Sequence, residues 1–187
     1  MDQTSNIRIN SLFYGSYEFL MDEKGRVTIP SQFKRLMVES DHDTFVMTRG
    51  ISNCIFAYPF SAWEHYMIAM RRMKVPTHER LKTMRIILAW ASNCTFDSQG
   101  RLKIPTRLAG FAKLDRNVMI VGHQDRLEIW NKDVYEKYHG VELEEGYDYE
   151  THAERLFVDM MPGVETDDKR DAHPVEDATD LPLINGR

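Results

Sequence analysis

One segment of this chain is written twice. Asp22-Glu23-Lys24-Gly25-Arg26-Val27-Thr28-Ile29-Pro30-Ser31-Gln32-Phe33 recurs 75 residues later as Asp97-Ser98-Gln99-Gly100-Arg101-Leu102-Lys103-Ile104-Pro105-Thr106-Arg107-Leu108, with five of the twelve positions identical. A repeat of this kind constrains the fold more than any propensity, because two copies of one unit in a short chain are expected to pack as a pseudo-symmetric pair. Each copy reads as turn, strand and short helix. Val27-Thr28-Ile29 and Leu102-Lys103-Ile104 alternate apolar and polar residues, as a half-buried strand does. Pro30 and Pro105 end the strand and suit the first turn of a helix, where a missing N–H is no loss. Phe33, Leu36 and Met37, like Leu108, Phe111 and Ala112, then supply one buried face.

The likeness extends downstream. A hairpin is expected in each copy, from Phe45–Thr48 with Cys54–Tyr58 and from Val118–Val121 with Leu127–Trp130. A helix start follows at Ser61-x-x-Glu64 and Asp133-x-x-Glu136, both of which fit the capping-box pattern. Between the copies, Thr77 to Ala91 reads as the longest helix, with Leu81, Met84, Leu88 and Ala91 on one face and Ile87 and Trp90 extending it. That face could pack on the two modules or form a subunit interface. The expected organisation is an N-terminal extension (1–11), a first module (12–65), a helical link (66–92), a second module (93–140), a short helix (141–161) and a tail (162–187).

Charge separates the body from the tail. The net charge is −5, but residues 1–140 carry 20 lysines and arginines against 15 acids, whereas residues 141–187 carry 4 against 14. A basic body suits an anionic partner; the acidic, Pro-containing tail has too little apolar surface to offset its ordering entropy and is expected to be disordered. Apolar runs such as Ile86 to Ala91 are far short of a membrane span, and the N-terminus lacks a signal-peptide core, so a cytoplasmic protein is expected. The two cysteines, Cys54 and Cys94, form no metal-ligand spacing and are expected to be buried apolar residues; no metal or other cofactor is expected.

The turns carry the chemistry. Asp at the first position can accept a backbone N–H, and Gly at the fourth releases the chain into the strand. Arg26 and Arg101 follow directly. Each guanidinium can form an ion pair with its Asp, or be held by it in a pose fit for a phosphate or for guanine O6/N7.

With two such copies, each running into a strand ending Ile-Pro, the chain resembles the MraZ family over roughly residues 12–140. The resemblance rests on Asp22 to Pro30, Asp97 to Pro105, the link Glu79 to Ala91, and the flanks Ala91 to Cys94 and Val121-Gly122. It implies an α+β fold of two pseudo-symmetric AbrB-like modules, of the swapped-hairpin or double-psi barrel kind, with short helices. It also implies a DNA-binding transcriptional regulator, assembled as a homo-oligomeric ring, that binds short direct repeats of double-stranded DNA upstream of division and cell-wall genes, its own promoter included, in the nucleoid. Arg26 and Arg101 would contact DNA, oriented by turns built on Asp22, Gly25, Asp97 and Gly100. Lys24 would add to the first turn, where the second has Gln99; Lys103 and Arg107, and more weakly Lys34 and Arg35, join them on charge and proximity.

Other classes fit less well. The seven histidines are scattered and no nucleotide-binding, nucleophile-elbow or zinc-protease motif occurs, so no catalytic residue is assigned. Asp22 and Asp97 each have an Arg partner, which keeps a carboxylate ionised and unsuited to acid catalysis. A partner-binding antitoxin would usually have one module rather than two, and RNA binding would call for an aromatic platform.

Overall fold

The strands of the two copies interlock. In the computed structural model, which describes residues 12–72, 77–140 and 153, the elements are β1 (Ser16–Leu20), β2 (Arg26–Thr28), α1 (Ser31–Arg35), β3 (Thr44–Arg49), β4 (Ile55–Pro59), α2 (Phe60–Arg72), α3 (Thr77–Trp90), β5 (Ser92–Thr95), β6 (Arg101–Lys103), α4 (Thr106–Phe111), β7 (Asn117–His123), β8 (Arg126–Asn131) and α5 (Lys132–Gly140). They belong to one compact unit, Met1–Glu144. In the second unit, Glu145–Arg187, Ala153 is helical. The expected extension 1–11 and, Ala153 apart, the expected helix and tail beyond 140 lie outside the described residues. No described helix is long and apolar enough to cross a membrane.

A six-stranded antiparallel sheet runs β1-β7-β8-β4-β3-β5, and β2 pairs with β6 in a separate ribbon. The first strand of each copy therefore pairs with the third strand of the other. Exchanging the copies reverses the strand order onto itself. The pseudo-dyad passes between Val27 and Leu102 in the ribbon and between Phe56 and Glu128 at the centre of the sheet.

Alternation builds the core between ribbon and sheet. Val27, Ile29, Leu102 and Ile104 face Phe45, Met47, Ile55, Ala57, Val118, Ile120, Leu127 and Ile129, all buried, and Phe33 and Leu108 of the short helices close the ends. On the other face of the sheet, Val46 and Tyr58 pack with Trp63 of α2, so β3 and β4 are covered on both sides and read as nearly continuous apolar runs. Both cysteines are buried, and burial pushes the Cys54 thiol up to about 12 and Cys94 to about 11.

The caps differ from the sequence pattern. Ser61 and Asp133 lie inside the first turns of α2 and α5 rather than before them. Asn131 Oδ1 accepts the Val134 N–H at 3.1 Å, while α2 is held from a distance by Asp41, whose Oδ1 accepts the Ser61 N–H at 2.9 Å and hydroxyl at 2.6 Å. Asp41 Oδ2 accepts the Val38 N–H at 2.8 Å. At 1% exposure, this carboxylate satisfies two backbone donors that water cannot easily reach.

The link helix also departs from expectation. Its inner side is Ile87 and Trp90, with the Ile87 carbonyl accepting the Thr48 hydroxyl at 2.9 Å, whereas Leu81 and Leu88 of the expected face are 44% and 49% exposed. Ile86 and Ile68 are exposed nearby in sequence on α3 and α2. Ala91 of the expected face packs on the same cluster as Ile87 and Met84 is half-buried, so within one chain that face is left uncovered at Leu81 and Leu88.

Asp41→Ala is expected to lower stability by about 1–3 kcal/mol, the cost of orphaning buried donors. Urea unfolding measures it; an unchanged midpoint would show that the cap contributes nothing.

Candidate functional site

Each turn is organised by one carboxylate. Asp22 Oδ1 accepts the N–H groups of Lys24 at 3.0 Å and Arg26 at 2.9 Å, and Gly25 N–H returns to the Asp22 carbonyl at 2.9 Å. The second copy matches it: Asp97 Oδ1 accepts Gln99 at 3.0 Å and Arg101 at 2.9 Å, and Gly100 N–H reaches the Asp97 carbonyl at 2.8 Å. Gly25 and Gly100 sit at φ 74° and 72°, where a side chain would be strained.

The second carboxylate oxygen holds the arginine. Asp22 Oδ2 accepts Arg26 Nε at 2.7 Å with Nη2 also at 2.7 Å, and Asp97 Oδ2 accepts Arg101 Nε at 2.9 Å and Nη2 at 2.8 Å. Because β2 and β6 are antiparallel across the dyad, the pairs also meet each other: Arg26 Nη1 is 3.8 Å from Asp97 Oδ2, and Arg101 Nη1 is 3.6 Å from Asp22 Oδ2. The four charges form one alternating cluster on the outer face of the ribbon. Its side chains are 23–33% exposed, so the cluster stays open to solvent.

Hydrogen bonding sets the protonation state. The Arg26 N–H is the largest influence holding the Asp22 carboxyl below its ordinary value, opposed by desolvation; the Arg101 side chain leads for Asp97, held at about 2. Both carboxylates are thus ionised at neutral pH.

Of the other expected contacts, Lys103 lies opposite Arg26 in the ribbon register, and Lys24 is in the first turn; both are exposed. Arg107 points elsewhere. Its guanidinium stacks 3.8 Å from the Trp90 ring centroid and donates to the Ala89 carbonyl at 3.1 Å, on the helix that precedes β5. Arg49, which the sequence reading passed over, lies over Phe111 at 4.3 Å beside the same tryptophan. Lys34 is a strut between copies, donating to the Gly100 carbonyl and lying 4.8 Å from the Phe96 ring centroid. Arg116, also passed over, reaches the first turn because its carbonyl accepts the Met21 N–H at 2.8 Å across the β1–β7 pair. Only the strand exchange could have revealed it. Among the described residues no cluster of His, Cys, Asp and Glu could hold a metal.

Known proteins resemble this chain in sequence. Residues 12–85 and 87–159 each match the family model described as "MraZ protein, putative antitoxin-like". The chain is 35% identical to the transcriptional regulator MraZ of Natranaerobius thermophilus over 127 residues, 68% of this chain and 86% of that one. It is 34% identical to the transcriptional regulators MraZ of Acetivibrio thermocellus and Lactiplantibacillus plantarum over 145 residues, 78% of this chain and 96% and 98% of theirs.

The charge cluster makes stability depend on acid. The folded-state pKa values lie below the unfolded ones, so the unfolded chain takes up protons more readily; the contribution is complete above the ordinary carboxylate value of 3.8 and is lost as pH falls toward about 2. Thermal unfolding between pH 5 and 2 is expected to show a fall that Asp97→Asn flattens, with pH 5 and 2 as about the limits of titration. An identical pH profile in that variant would exclude the cluster as its source.

Proposed function

The chain belongs to the MraZ family, and from that premise we propose that it is a sequence-specific DNA-binding regulator of transcription. The observation that carries this reading is the duplicated, carboxylate-positioned arginine pair on an exposed ribbon, flanked by Lys24 and Lys103. A guanidinium bound through Nε and Nη2 keeps Nη1 as the donor nearest the opposite pair, and its orientation is set before any ligand arrives. Such pre-organisation reduces what binding must spend on ordering a long side chain. Arg26 and Arg101 then address phosphates or guanine edges, Lys24 and Lys103 neutralise phosphates alongside, and Asp22, Gly25, Asp97 and Gly100 hold the turns. Arg107 contributes only through N–H groups left by its stacking on Trp90.

The proposed targets are short direct repeats upstream of division and cell-wall genes, the chain's own promoter among them, in the cytoplasm at the nucleoid. The proposed assembly is a homo-oligomeric ring. Supporting it is the uncovered apolar surface at Leu81, Ile86 and Leu88 on α3, since a helix that buries so little of its apolar surface is poorly stabilised alone. Few cations per module give weak, salt-sensitive binding; several modules on one ring make later contacts intramolecular and raise avidity. The exchange of β1 and β5 between copies supports a swapped-hairpin reading of the modules, with copies at 12–65 and 93–140 joined by 66–92.

Fluorescence anisotropy against a duplex of tandem direct repeats from upstream of its own gene, with a scrambled duplex as control, tests the reading across several salt concentrations. Repeat-dependent, salt-sensitive binding is expected. Arg26→Ala or Arg101→Ala, with folding verified by circular dichroism, is expected to cost about 1–3 kcal/mol per engaged site. Equal or absent binding to both duplexes would refute the operator reading.

A further inference from the structure

The two sides of the pseudo-dyad are not equivalent, and the difference bears on how a duplex is held if the DNA-binding reading stands. Beside the first turn lies a groove of about 890 Å³, with Met21, Ile104 and Ala109 among its apolar lining and Lys24, Lys103 and Arg116 as its cations. The repeat places Phe96 where the first side has Met21, and Lys34 where it has Ala109. Lys34 crosses to the Gly100 carbonyl over the Phe96 ring, so the space beside the second turn is taken by the protein's own side chain. The cations change as well. Gln99 stands for Lys24 and Thr28 for Lys103, and Asp43 stands for Arg116: Met21 N–H bonds to the Arg116 carbonyl at 2.8 Å and Phe96 N–H to the Asp43 carbonyl at 3.2 Å.

Three acids line the open groove too. Asp22 is tied to Arg26 at 2.7 Å, which leaves Glu23 and Asp115, whose Oδ1 accepts the Asn117 N–H at 2.9 Å, as the opposing charges. Against them stand three cations, where the equivalent positions on the other side hold two neutral residues and an acid and its one added cation, Lys34, is tied to the Gly100 carbonyl.

We propose that this groove is the seat for the phosphodiester backbone of one DNA strand, and that the protein engages a duplex through the first turn's side of the dyad more than through the second's. A two-fold symmetric reading surface matches a palindromic site. Loading one side alone gives the complex a direction along the duplex, which tandem repeats in one orientation require. Arg116 becomes a phosphate contact, and Lys34 becomes the residue that closes the second side.

Salt titrations of the full chain on the tandem-repeat duplex test this seat. Lys103→Thr and Arg116→Ala are each expected to weaken binding several-fold and to reduce the slope of log K against log salt by about 0.9 per lost phosphate contact. Thr28→Lys and Gln99→Lys, which give the second side the cations that Lys103 and Lys24 give the first while Lys34 still closes it, are expected to change neither quantity. Circular dichroism and the thermal midpoint separate loss of contact from loss of fold. Wild-type binding whose slope is insensitive to the first pair, or equally sensitive to both pairs, would overturn the asymmetric seat while leaving DNA binding intact. A wild-type chain that binds no duplex would overturn both.

Discussion

Everything at the candidate functional face depends on the antiparallel pairing of β2 with β6. Three residue pairs form this ribbon, and its midpoint, Val27 against Leu102, lies on the pseudo-dyad. The inner side chains anchor it in the core, so the outer ones have no freedom to separate. Two Asp–Arg pairs that would each be an ordinary i,i+4 ion pair are thereby brought within 3.6–3.8 Å of one another. Isolated surface ion pairs contribute little. Here the carboxylates are also bonded to backbone N–H groups, and charge, turn geometry and strand pairing reinforce one another.

The strand exchange extends that dependence through the sheet. β1 is stabilised by β7 and β5 by β3, so neither copy completes its own sheet. The core is correspondingly shared, with apolar residues of both ribbon strands packed against both hairpins. Membership of the MraZ family accounts for the two matched segments of sequence, but the physical unit is the interlocked pair. Breaking the pseudo-symmetry is cheap in such a unit, because substitutions such as Lys34 for Ala109 act at the rim and leave the buried frame unchanged.

Much of this was legible from residues. Asp22, Gly25 and Arg26, with Asp97, Gly100 and Arg101, predicted the turns, and the alternation at Val27 and Leu102 predicted the buried side of the ribbon. The hairpins β3–β4 and β7–β8 were visible because both halves of each pair are close in sequence. β1 and β5 were not, since each is a short edge strand whose partner belongs to the other copy. For the same reason Asp41 was missed as the cap of α2, and Arg107 was grouped with Lys103 although it turns toward Trp90.

Sequence alone determined the repeat, the chemistry of each turn and the sign of the charge on body and tail, because these follow from residue type and from spacing within a few bonds. Tertiary structure alone decided that the two turns share one charge cluster, that Arg116 stands beside the first turn, and that Lys34 closes the second. These are relations between residues distant in the chain, and they exist only once antiparallel pairing across the dyad has set the register.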